Sequence, residues 1–223
     1  MNHHKFSLSN QQLWALPNGA LWWPAHKVLV VSDLHLGKSE RLARRGGALL
    51  PPFETTDTLT RLQDCIVALG PDIVISLGDS FDDASAAAAL DETERLWITK
   101  LQAGREWIWI AGNHDPAPLP YAGAQLAQWQ RDTLVFRHIA LADATGEISG
   151  HYHPKASIGA GGRRFSRPCF LVDDTRVIMP AFGTYTGGLR CTDPVLADLM
   201  NPKTMAIMTG DVALAVPMPR RQR

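Results

Sequence analysis

The sequence has few cysteines, no net charge and no long apolar run, and each shortage excludes a class. Cys65, Cys169 and Cys191 are odd in number and widely spaced, which suits neither a disulfide framework nor a CxxC zinc ribbon, so all three are expected as reduced thiols. Lys plus Arg and Asp plus Glu both total 22, so no global basic field draws the chain to nucleic acid or an anionic membrane. Any polyanion contact must be local. No apolar stretch approaches the ~20 residues of a membrane helix, and the opening MNHHKFSLSNQQLW lacks an apolar signal core, so a cytoplasmic protein without membrane attachment is expected. Fixed-period repeats are missing too, and the one biased stretch, alanine-rich 84–89, reads as a loop entering a helix.

What is present is a packed-domain composition, with 45% hydrophobic residues over 223 positions. A single domain over 1–223 is expected, with a short mobile lead at 1–12 and a mobile basic tail at 217–223. Residues 27–32, 72–77 and 107–111 are short β-branched or aromatic runs that read as buried strands. Between them, 54–69 and 90–101 carry leucine and isoleucine at helical spacing, closed by Gly70-Pro71 and Gly104. From 134 onward the texture becomes strand-rich, with candidates at 133–136, 147–149, 169–173, 176–179, 205–209 and 212–216. An α/β class follows.

Functional groups of parallel α/β sheets gather at the carboxyl ends of strands. Here those ends carry, in order, Asp33-x-His35, Gly78-Asp79, Gly112-Asn113-His114-Asp115, then His138 and Gly150-His151-x-His153. Each motif alone is weak; the ordered series is not what a purely structural role would require. Carboxylate oxygen with imidazole nitrogen suits borderline divalent metals such as Mn, Fe, Zn or Co, rather than Mg or Ca. If DxH and HxH are extended, each sends both side chains to one side of the chain. His138 stands in FRHIAL without a flanking glycine, where a polar residue at a strand end is the alternative.

This order resembles the calcineurin-like metallophosphoesterase superfamily. The resemblance implies a four-layer α-β-β-α sandwich of two mixed sheets. It also implies two divalent ions, one on Asp33, His35 and His153, the other on Asn113, His138 and His151, with Asp79 bridging. DLHLGKS at 33–39, the later RRG and LP, GHYHP at 150–154 and AFGTYTGG at 181–188 resemble, more narrowly, the DNA ligase-associated metallophosphoesterases. That likeness implies a Mn-dependent phosphodiesterase or DNA endonuclease tied to repair, with DNA as substrate and DNA ligase and other repair proteins as partners. One departure is Asp82, near a position where that group often has histidine.

Two-metal sites hold a hydroxide for in-line attack on phosphorus, with the ions ~3.5–4 Å apart. His114 is then the candidate general acid, with Asp115 expected to fix its tautomer or, alternatively, to serve as a turn or cap residue before Pro116. Lys38, Arg41 and Arg45 follow the DxH strand, and Arg163, Arg164 and Arg167 follow GHxH; phosphate contact and solvated loop charge are both open for them. Asp83 stands where the protein Ser/Thr phosphatases have the arginine of GDxxDR, which disfavours a phosphoprotein monoesterase. Trp22, Trp23 and Trp129 offer stacking faces but sit at core spacings. Alternatives are a phosphodiesterase or pyrophosphatase acting on a small nucleotide, and a catalytically silent metal-binding scaffold.

Overall fold

The structure, a computed structural model, describes residues 2–47, 50–116 and 119–220. The first sheet begins with three antiparallel strands, β1 (His4–Leu8), β2 (Gln11–Ala15) and β3 (Leu21–Trp23), and continues into β4 (Val28–Val31). Two helices follow, α1 (Lys38–Arg44) and α2 (Glu54–Leu69), then β5 (Ile73–Ser76), α3 (Ala84–Ala89), α4 (Glu92–Gln102), β6 (Glu106–Ile110) and β7 (Ala124–Leu126). Strands β4 to β7 run parallel, giving a seven-stranded mixed sheet in chain order.

The second sheet contains β8 (Gln128–Arg131), β9 (Leu134–Arg137), β10 (Glu147–Ser149), β12 (Arg163–Val172), β13 (Arg176–Ile178), β14 (Met205–Met208) and β15 (Leu214–Pro217), in the order β15-β14-β12-β13-β10-β9-β8. Strand β11 (Lys155–Ala160) pairs with the outer half of β12, and α5 (Pro194–Leu199) lies between β13 and β14 in the chain.

Alternation along the central strands explains the layering. Val28 and Val30 of β4 turn inward with Ile73, Ile75, Ile108 and Ile110 to meet Phe136, Ile148, Phe170 and Val177 of the second sheet. Their neighbours Leu29, Val31, Val74 and Trp107 turn the other way, onto Leu59, Leu62 and Ile66 of α2 and Ile98 of α4. On the far side, Leu171, Ile178 and Met208 pack on Leu196 of α5. Strands covered on both faces read as continuous apolar runs, which is why β4, β5 and β6 stand out in the sequence. These three cores make the four-layer α-β-β-α sandwich.

Several expectations need correction. The alanine run at 84–89 is itself helix α3, started by Asp83, whose carboxylate accepts from Ala86 N. The lead at 1–12 is not loose: β1 and β2 form a hairpin through Ser9 and Asn10, both at positive φ, a turn that suits the strands' twist. At the other end, β15 includes Pro217, and Arg220 donates to the carbonyls of Ala197, Met200 and Asn201; the tail's last three residues, 221–223, lie outside the described residues. Trp22 and Trp23 are core, and Trp129 packs on Phe136. Cys65, Cys169 and Cys191 are free and buried, although Cys169 and Cys191 place their sulfurs 3.7 Å apart. No described helix is long and apolar enough to cross a membrane.

Candidate metal centre

The motif residues leave the strands in tight turns, not as extended chain. Asp33, His35, Asp79, His151 and His153 all have positive φ, between 46° and 72°. Left-handed backbone is uncommon for residues with a Cβ and costs of order 1–3 kcal/mol each, so its recurrence at five candidate ligands marks a site the surrounding fold over-determines. The expectation that DxH and HxH alternate as strands therefore fails. Side chains converge because successive turns curl around one point.

Backbone bonds hold these turns. Asp33 N donates to Gly78 O (3.2 Å), His35 N to Asp79 O (3.0 Å), and Gly150 N to His138 O (3.0 Å). Segment 181–188 closes behind them, with Phe182 N donating to Ser32 O and Gly183 N to Asp33 O. Two glycines are sterically required. A Cβ on Gly112 would lie 2.1 Å from Asp79 N, and one on Gly150 1.8 Å from Ser32 Oγ.

Three groups with ligand atoms within 4.8 Å of one another result: Asp33, His35 and His153 form one triad, Asp79, His138 and His151 a second, and His35, Asp82 and His114 a third that shares His35 with the first. His153 Nε2 lies 3.0 Å from Asp33 Oδ1, and His138 Nε2 lies 3.3 Å from Asp79 Oδ2 and 3.0 Å from Asn113 Oδ1. His138, the motif residue without a flanking glycine, is thus central and buried. Its Nδ1 is 2.8 Å from Leu77 O, an acceptor only, so Nδ1 carries the proton and Nε2 faces the cluster.

Charge in the cluster is strongly coupled. Burial alone would raise the Asp33 and Asp79 carboxyls, but His153 and His138 beside them outweigh it; Asp33 falls below its usual range and Asp79 to about 2. His151 is lowered by burial and by the charge of His138. The donor set fits divalent cations: His35 Nε2 is buried without a hydrogen-bond partner among the described residues, and carboxylates and imidazoles surround it.

Two carboxylates stand behind the ligands, and for Asp115 the turn role, not the contact to the His114 ring, is the one observed. Asp82, fully buried, accepts from His35 Nδ1 at 2.8 Å, which fixes the tautomer that presents Nε2. Asp115 does not touch the ring of His114. Its carboxylate accepts from the backbone N–H groups of Gly112, Asp79, Ser80 and Phe81, clamping the turn that carries Asp79. Burial, helped by the charge of Asp79, raises it to about 6 against the N–H groups of Phe81, Ser80 and Gly112. The ring of His114 is held instead by the carbonyl of Asp82, 2.8 Å from Nδ1, while the backbone N–H of His114 donates to Asp79 Oδ1. Only the DxH-to-Asp82 separation of 47 residues hides the first of these pairings; a carboxylate three residues after GD is the one signal available.

Of the cations expected near phosphate, Arg41 Nε pairs with Asp82 and Lys38 Nζ lies 3.8 Å from the same carboxylate, both beside His35. Arg45 is turned to Asp83 at 3.4 Å and is largely exposed.

A two-sheet sandwich with paired acid-and-histidine triads at the carboxyl ends of its strands defines a metal-dependent phosphoesterase. The sequence model of the calcineurin-like phosphoesterases matches residues 26–200, and the chain belongs to that family. Within it, the chain is similar to the crystal structure of Pseudomonas putida nuclease MPE, at 27% identity, with a TM-score of 0.75 over 96% of this chain and 100% of that one. No curated protein matches the chain.

Proposed function

We propose that the chain is a two-metal phosphodiesterase that cleaves DNA internally, acting as one catalytic domain. The observation that carries this reading is the pair of triads built on strained left-handed turns, with His114 beside them in a group with His35 and Asp82. Similarity to a protein described as a nuclease supports the substrate class. Asp33, His35 and His153 would hold one ion and Asn113, His138 and His151 the other, with the Asp79 carboxylate available to both. Bound divalent cations, Mn foremost with Fe, Zn or Co as alternatives, supply charge opposite the phosphoryl oxygens and ease deprotonation of an attacking water.

The chain's own groups do the rest. His114, with Nδ1 committed to the Asp82 carbonyl, presents Nε2 to protonate the leaving oxygen. Asp115 is a positioning residue, acting through the backbone of Asp79. Lys38 and Arg41 lend positive charge at the His35 side, and Arg45 is the outermost of the three. Alanine at Arg41 and Arg45 that left cleavage and its salt dependence unchanged would remove that last assignment. The free thiols suit a cytoplasmic setting, and association with DNA ligase or other repair proteins is part of the same reading.

The test is cleavage of end-labelled single- and double-stranded DNA by Mn-supplied protein, beside a small chromogenic diester. Metal-dependent nicking is expected, with His114→Ala reduced about 10²–10⁴-fold while still binding metal. Intact DNA with the small diester hydrolysed would shift the assignment to a small nucleotide substrate. Bound metal without any hydrolysis would make the chain a scaffold.

A further inference from the structure

The ribbon of β11 and β12 begins two residues after His153 and stands out from the second sheet. In its antiparallel register Ser157 faces Ser166 and Gly159 faces Arg164, so Lys155, Ser157, Ser166 and Arg164 share one face. Arg190 joins them, because its segment bridges to β11 at Lys155, and together with Thr192 these residues line a groove of about 320 Å³. Cys191 and Pro219 complete the wall, which thus carries three cations and three hydroxyls and no carboxylate among its lining residues. The nearest acid in sequence, Asp193, is occupied capping α5 at Val195 N.

Among the described residues, Lys155, Arg164 and Arg190 form no ion pair; Lys155 donates only to the carbonyl of Thr186, and the guanidinium groups of the other two are uncommitted. This contrasts with Lys38, Arg41 and Arg45, whose charge is already met by Asp82 or Asp83. The backbone of the groove adjoins the turn of the metal centre: Gly188 lies against His153 O, Leu189 N donates to Tyr152 O, and Lys155 N donates to Leu189 O. Six paired residues span about 20 Å, compared with ~3.4 Å of rise per phosphate along one strand of a duplex.

We infer that this groove is a second nucleic-acid contact, in which Lys155, Arg164 and Arg190 hold the phosphodiester backbone of the substrate strand where it leaves the metal centre past His153. The inference rests on the nuclease reading and adds residues that reading does not use. The groove makes no base-specific contacts and acts on affinity through charge.

The test compares the wild type with Arg164→Ala, Arg190→Ala and the double variant, all of them surface changes whose folding is checked by thermal melting. Binding of a labelled oligonucleotide is followed against salt, together with KM and kcat for its cleavage. Each alanine is expected to make the plot of log affinity against log salt shallower by about one and to raise KM, with kcat and hydrolysis of a small diester retained. Slopes and KM equal to wild type, in a protein that does cleave the oligonucleotide, would overturn the groove and leave the nuclease reading standing. A wild type that hydrolyses the small diester but neither binds nor cleaves the oligonucleotide would overturn both. Competition by a polyglutamate peptide as strong as by the oligonucleotide would make the groove a site for acidic protein and overturn the assignment.

Discussion

His35 presents Nε2 to the cluster because its Nδ1–H donates to Asp82, which keeps the proton on Nδ1. Replacing Asp82 by Asn removes the charge but keeps the shape, and Mn affinity is expected to fall about 10–100-fold, read by calorimetric titration with the circular dichroism unchanged. Unchanged affinity would reduce Asp82 to a partner of Arg41. A second residue-scale expectation concerns Gly150: its alanine variant pushes on Ser32 Oγ and Asp33 Oδ2 and should destabilise by about 1–3 kcal/mol in urea unfolding. Gly187, whose Cβ would meet nothing within 4 Å, should tolerate alanine within about 0.5 kcal/mol. At this scale the candidate ligands were legible, because Asp, Asn and His at strand ends have few reasons to occur in that order. Their left-handed backbone was not, since residue type does not announce positive φ except at glycine. The roles of Asp82 and Asp115 were hidden for a related reason: both act on atoms brought close only by folding, 47 and 36 residues away along the chain.

Among the elements, β4, β5, β6 and α2 could be read directly, the strands from apolar runs buried on both faces and the helix from leucine spacing ended at Gly70. Helix α4 carries its own start signal, a reciprocal bond pair between Asp91 and Glu94. Asp91→Ala should cost about 0.5–2 kcal/mol, seen as a lower urea midpoint at constant slope; no loss would mean that packing of Ile98 and Leu101 alone sets the helix. Strands β1 and β2 were missed because their polar, half-exposed residues alternate over only five positions, and β3 because three buried apolar residues are too few to show a period. Helix α3 was missed because an alanine run has no apolar period, only propensity and the Asp83 cap. The outer half of β12 reads as a charged loop because Arg163, Arg164 and Arg167 crowd it and its partner β11, KASIGA, has only Ile158 as a strong strand former.

Across the whole molecule, the sandwich depends on the layer between the sheets, where fully buried Phe136 meets Trp23 and Trp129. Phe136→Ala should destabilise by about 3–5 kcal/mol, and because β9 leads straight to His138 the same variant should weaken metal binding. A large stability loss with metal affinity intact would show that the centre is held by its turns alone. The zero net charge conceals an uneven distribution, with cations neutralised beside Asp82 and Asp83 and unpaired along the β11–β12 ribbon. The architecture as a whole was legible only through the resemblance carried by the motifs; short strands alone do not say how two sheets stack. The most direct test of the central claim is anomalous diffraction at the manganese edge from crystals grown with Mn. The account predicts two peaks, one contacted by Asp33, His35 and His153 and one by Asn113, His138 and His151, with Asp79 touching both. A single peak, or none at these side chains, would contradict it.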